Sequence, residues 1–197
     1  LNWVNRVVDI KRNYNSQIIP SLVGSASPET MGDLQLQAKK LLDNFDYISL
    51  RLPIQPKEDI AQLETILDML GLSKLMNKVY MLFDYGSVET WASIQESVLA
   101  LNQLIENNQW KSANVILLSS CPSNFPINSR SANQIEKCHM AEYDTLKAIV
   151  SLPRKKISYG DYAFIHPKRN ESAGFWLPRI DYPADDGICY YVRSFNR

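Results

Sequence analysis

Val79-Tyr80-Met81-Leu82-Phe83 runs apolar for five residues and then delivers Asp84, Tyr85 and Gly86; beginning 35 residues later, Asn114-Val115-Ile116-Leu117-Leu118 repeats the pattern ahead of Ser119 and Ser120. A run of this length without alternation predicts a strand covered on both faces, the situation of a central strand in a parallel sheet. Between the two runs, Ser87 offers a helix cap, and Trp91, Ile94, Val98, Leu101 and Ile105 recur at helical spacing. The stretch is therefore one βα unit closed by the strand of the next.

The same unit extends outward in both directions. Upstream, residues 17–24 read as a short apolar strand. Ser27-Pro28-Glu29 follows as an N-cap, a proline at the first helical position and an acid in the first turn, leading a helix striped by Met31, Leu34, Ala38, Leu41 and Leu42. Tyr47 to Leu52 is the next strand, ending at Arg51 and Pro53. From Pro56 a helix carries Ile60, Leu63, Ile66, Leu67 and Leu70, and Gly71 stops it. Strands thus start near 17, 47, 79 and 114 with one amphipathic helix in each gap, which predicts parallel strands. Downstream, residues 131–150 read as helix, Tyr162 to Ile165 and Ile188 to Val192 as strands, and Lys168 to Gly187 as a long polar connection.

Six strands in this order fit the C-terminal portion of a TIM-like barrel or, as the alternative, an open doubly wound parallel sheet. The chain opens on Leu1 rather than Met, with helix-like spacing of Val4, Val7 and Val8 at its start. A barrel takes about 250 residues, so two upstream βα units would complete one. The expectation is a single α/β domain over residues 1–197 that lacks N-terminal βα units. If nothing precedes it, the first strand has an open edge, a candidate surface for a protein partner or a second copy of the chain.

Composition narrows the function classes. Lys+Arg 21 balance Asp+Glu 21 among 197 residues, and the sequence pI is near 6.9, which argues against a general nucleic-acid binder. No apolar run approaches a membrane span and no leader opens the chain, so the expected setting is cytoplasmic with no membrane partner. The three cysteines, Cys121, Cys138 and Cys189, are odd in number and widely spaced, as reduced and mostly buried thiols are. Cys138 and His139 fall mid-helix on this reading, with His139 at the surface. Neither His139 nor His166 has a second ligand at metal-site spacing, and the reading implies no metal and no cofactor.

In either parallel architecture, ligands bind beyond the carboxyl ends of the strands. Those ends carry Arg51, Asp84, Ser119, Ser120, Cys121, His166, Lys168 and Arg193. An arginine, an aspartate and a histidine on one rim suit an anionic ligand, with the guanidinium and imidazolium as donors and the carboxylate as base or positioner. The ordinary alternative is that strand ends are polar wherever a chain leaves its core; Asp84 could cap the following helix or pair with Arg51. For Cys121 a nucleophile reading stands beside that of an inert thiol.

Several short motifs occur in an order that resembles the Beta protein family of phage and bacterial genomes. They are Leu50-Arg51-Leu52, Asp84-Tyr85-Gly86-Ser87, Ser119-Ser120 with Phe125-Pro126, Gly160-Asp161-Tyr162 followed by His166-Pro167, Arg179-Ile180-Asp181-Tyr182, and Tyr190-Tyr191-Val192-Arg193. The resemblance implies a barrel-like α/β fold and a phage or mobile-element setting, and it brings no assigned reaction. Cys121-Pro122 stands where a glycine-containing turn is common, and Arg193-Ser194 where Arg-Gly is. Site roles carry over to Arg51, Asp84, Asp161 and Arg179 only. The candidate set is Asp84 and His166 as catalytic groups, with Arg51, Asp161, Arg179 and Arg193 as ligand contacts. The function expected is binding of an anionic small molecule or a nucleic-acid end; the rival is a non-catalytic protein-interaction module in phage-host conflict.

Overall fold

A computed structural model describes residues 2–14, 18–23, 29–54, 58–110, 112–120, 135–153, 156–161, 179–184 and 187–193. The first element is α1 (Asn2–Tyr14), then α2 (Met31–Leu42), β1 (Ile48–Pro53), α3 (Glu58–Met69) and β2 (Val79–Ser87). After these come α4 (Gln95–Asn107), β3 (Ala113–Ser119), β4 (Ile135–His139), α5 (Ala141–Ser151), β5 (Ser158–Asp161), β6 (Arg179–Pro183) and β7 (Ile188–Arg193). Short 3-10 helices, Ser73–Lys78 and Trp91–Ser93, precede β2 and α4. The fold is mixed α/β.

The repeated βα rhythm produces a four-stranded parallel sheet in the order β1-β2-β3-β5. Pro20 and Leu22 add a single parallel bridge beside β1, through Ser49 N–H to the Pro20 carbonyl at 2.8 Å and Leu22 N–H to the Ser49 carbonyl at 2.9 Å. Its neighbours follow chain order, without the reversal that defines a doubly wound sheet. No closed barrel forms among the described residues.

Register decides which side chains share a face. Leu50, Met81 and Asn114 align, as do Leu52, Phe83 and Ile116, and all are buried. This side packs into one hydrophobic cluster with Leu34 and Leu41 of α2, Leu63 and Leu67 of α3, Val98, Leu101 and Ile105 of α4, and Ile149 of α5. Helical spacing located those of α2, α3 and α4 correctly because each helix buries one stripe. On the other face Arg51 is exposed, and Tyr80, Leu82, Asp84, Val115 and Leu117 are only half-buried. The apolar runs at 79–83 and 114–118 are thus fully buried on one face and half-buried on the other, where their composition predicts full cover on both. Polar contacts set the start of β5: the buried Asn114 side chain donates to the Ser112 carbonyl at 3.0 Å and the Lys156 carbonyl at 3.2 Å, while Asn102 accepts from the Lys156 N–H at 3.1 Å.

Two expectations need correction. Residues 135–139 form β4 rather than the first part of a helix; the helix begins at Ala141. β4 pairs antiparallel with β7, and β6 pairs antiparallel on the other side of β7, giving a second sheet in the order β4-β7-β6. The strands therefore do not all run one way, because consecutive β6 and β7 are joined too closely for a parallel crossover. The last strand of the parallel sheet is Ser158–Asp161; Tyr162 to Ile165 lie outside the described residues, as do Ser27 and Pro28.

Candidate functional site at the strand ends

β1 and β2 end side by side, with Pro53 in register with Asp84. Alternation places Arg51 and Asp84 on the half-open face, one step apart on neighbouring strands. Arg51 donates to Oδ2 of Asp84 from both Nη2, at 2.5 Å, and Nε, at 2.7 Å. The other oxygen, Oδ1, accepts the Gly86 N–H at 2.8 Å. Gly86 sits at φ +63, a conformation glycine takes without strain, and the β2–β3 register shifts between Asp84 and Ser87. That bulge turns the Gly86 amide back onto the carboxylate. Asp84 is held by two elements, while Arg51 reaches outward: their side chains are 10% and 50% exposed.

Tyr85 faces the opposite way and meets Ser97 of α4, hydroxyl to hydroxyl at 2.8 Å. Burial pushes its phenol pKa up to about 12, against the lowering effect of the Ser97 hydrogen bond.

The end of β3 is tied to α5 by a group that sequence reasoning missed. Ser120 donates its N–H to Oε1 of Glu142 at 2.5 Å and its hydroxyl to Oε2, while the hydroxyl accepts the Ala141 N–H at 3.2 Å. A strand-end serine and a first-turn glutamate thus complete between them the start of a helix to which only one belongs. The available signal was an acid in the first turn of α5; nothing in spacing linked it to Ser120.

Of the remaining candidates, Asp161 shares a sheet with Arg51 and Asp84, and Arg179 and Arg193 belong to the other sheet. Asp161 closes β5, opposite Leu118 of β3, so its backbone belongs to the same parallel sheet. Arg179 and Arg193 are register partners in β6 and β7, which places them in the antiparallel sheet. Arg193 is consequently not at the end of a parallel strand, contrary to expectation. His166, Cys121 and Lys168 lie outside the described residues. His139, in β4 and not in a helix, is exposed and contacts Asp144 of α5 at 2.8 Å. Among the described residues, no group of three His, Cys, Asp or Glu could hold a metal ion, and no helix is long and apolar enough to cross a membrane.

A family model described as Beta protein matches residues 8–197. The chain belongs to the Beta protein family. The match begins within α1 and takes in both sheets, so the antiparallel β4-β7-β6 sheet lies within the span of the Beta protein model along with the parallel one. No curated protein and no solved structure matches the chain.

Proposed function

We propose that this Beta protein binds an anionic group, a phosphate on a small molecule or at a nucleic-acid end, at the C-terminal rim of its parallel sheet. The observation that carries this reading is the Arg51–Asp84 pair: a half-exposed guanidinium anchored by a mostly buried carboxylate that is itself anchored by Gly86 N–H. Pre-orientation of this kind lowers the entropy lost when an arginine meets an oxyanion. Asp84 acts as positioner of Arg51, since both of its oxygens already accept hydrogen bonds. Asp161 is assigned a ligand contact from its place at the end of β5, whereas the role of His166 rests on the strand-end argument and that of Arg179 on the family resemblance.

The architecture we infer is one α/β domain corresponding to the C-terminal portion of a TIM-like barrel, cytoplasmic and of phage or mobile-element association. Chain-order strands with helices packed against one face support it, because a sheet that advances in one direction with right-handed crossovers keeps its helices on one side. The rival, a protein-interaction module working through the first-strand edge, has less support: side chains of Trp3 and Gln37 already occupy the outward backbone groups of Ser21 and Val23.

Titration of inorganic phosphate, a mononucleotide and a 5′-phosphorylated oligonucleotide, followed by backbone amide NMR shifts, tests the proposal. Saturable shifts at Arg51, Asp84 and Gly86 that weaken with salt and vanish in Arg51→Ala are expected. Absence of any saturable shift in the wild type with all three probes overturns it.

A further inference from the structure

The antiparallel sheet places two thiols opposite one another. Cys138 of β4 and Cys189 of β7 are register partners, and neither is in a disulfide. Directly opposed residues of an antiparallel pair carry their side chains on the same face. The Met140 N–H donates to the Gly187 carbonyl at 2.8 Å, and two residues along each strand the same alternation makes Cys138 and Cys189 a hydrogen-bonded pair. Such pairs have Cα atoms about 5.5 Å apart, inside the roughly 4.4–6.8 Å that a disulfide spans. Their Cβ atoms, at about 5 Å, must close to about 3.8 Å for a relaxed bond. The strands must therefore draw together to make the bond, which leaves it strained and readily reduced. Exposure differs between the two: Cys189 is buried and Cys138 half-buried.

We propose that Cys138 and Cys189 form a reversible disulfide that staples β4 to β7 when a low-molecular-weight disulfide is present as oxidant. Cys138, the more open, loses its thiol proton and attacks one sulfur of the small disulfide, breaking that S–S bond, forming a mixed disulfide and expelling one thiolate. Cys189 then loses its proton and attacks the Cys138 sulfur, expelling the second thiolate. The two released thiolates take up the two protons, so two protein thiols lose two electrons and one small disulfide becomes two thiols. The staple sits directly before α5, whose Glu142 fastens Ser120 at the end of β3. Oxidation accordingly stiffens the connection between the two sheets.

The test uses the full chain carrying Cys121→Ser, incubated with oxidised glutathione and mapped by tryptic mass spectrometry. Expected is a single peptide pair joined through Cys138 and Cys189, a melting temperature raised by roughly 5–10 °C, and reversal of both by dithiothreitol. Adding Cys189→Ser should halt the reaction at a glutathione adduct on Cys138 with no rise in melting temperature. Halting at that adduct while Cys189 is intact, or cross-linking only after unfolding in urea, overturns the proposal.

Discussion

Gln37 of α2 brackets the backbone of Val23, its side-chain oxygen accepting the Val23 N–H at 3.1 Å and its amide nitrogen donating to the Val23 carbonyl at 3.0 Å. Trp3 of α1 does the same for the next outward group, its indole N–H donating to the Ser21 carbonyl at 3.2 Å. Pro20 and Leu22 face inward to Ser49, so these contacts fall on the open side of the segment. A row of unpaired strand groups is a template for another chain, and here side chains take that place. Gln37→Ala should cost about 1 kcal/mol and increase self-association with concentration relative to wild type. Sedimentation velocity across a concentration series checks it; an unchanged distribution would show that the edge is protected by other means.

Gly187 stands against the ring of Tyr143. A Cβ there would lie 2.6 Å from Tyr143 Cδ1, and the backbone is at φ +82. Gly187→Ala meets both the Tyr143 ring and a conformation unfavourable to L residues, for a loss of about 3 kcal/mol. At Gly86 the space is open, so Gly86→Ala should cost only about 1 kcal/mol from φ alone. Equal losses in urea denaturation would mean that the Tyr143 contact is easily relieved.

Core stripes such as Leu63/Leu67 and Val98/Leu101/Ile105 were legible because one buried face leaves a 3.6-residue period in any sequence. The meeting of Arg51 with Asp84 was legible for a related reason, since parallel strands bring their ends to one rim. β4 was not. Ile135 and Cys138 are three apart and fit a helix as well as a strand, and the choice is made by β7, about 50 residues away. The same holds for Ser120 and Glu142, and for Gln37 and Val23: each pair is created by packing between elements, with no periodicity to announce it. Likewise, the apolar run at 79–83 states that its side chains avoid water, but not how much of one face the rest of the chain covers.

Arg51 and Asp84 should respond unequally to substitution. Asp84 is the more buried partner, so Arg51→Ala leaves a largely desolvated carboxylate with Gly86 N–H as its remaining partner among these contacts, whereas Asp84→Asn leaves a guanidinium that water can reach. Losses of about 1–2 kcal/mol for Arg51→Ala and under about 1 kcal/mol for Asp84→Asn are expected. Chemical denaturation at neutral pH ranks the two. If Asp84→Asn proves the more damaging, the carboxylate matters to the turn at Gly86 more than to Arg51. Asp84→Asn should also weaken phosphate binding about tenfold by releasing Arg51.

Tyr85 makes stability depend on pH in the alkaline range. In the unfolded chain its phenol ionises near pH 10, whereas burial in the folded protein holds the proton until about pH 12. Between these values the unfolded state binds fewer protons than the native state, so the stability gained from keeping Tyr85 neutral is complete below pH 10 and is lost as pH rises through 12. The loss is on the order of 2 kcal/mol across that window. Tyr85→Phe removes the titrating group along with its contact to Ser97, at a cost of about 1 kcal/mol at neutral pH. The urea midpoint of the wild type, the higher at neutral pH, should therefore fall to that of the variant and below it between pH 10 and 12. Parallel curves would mean that the folded protein admits the phenolate, and that the Tyr85–Ser97 contact opens readily to water.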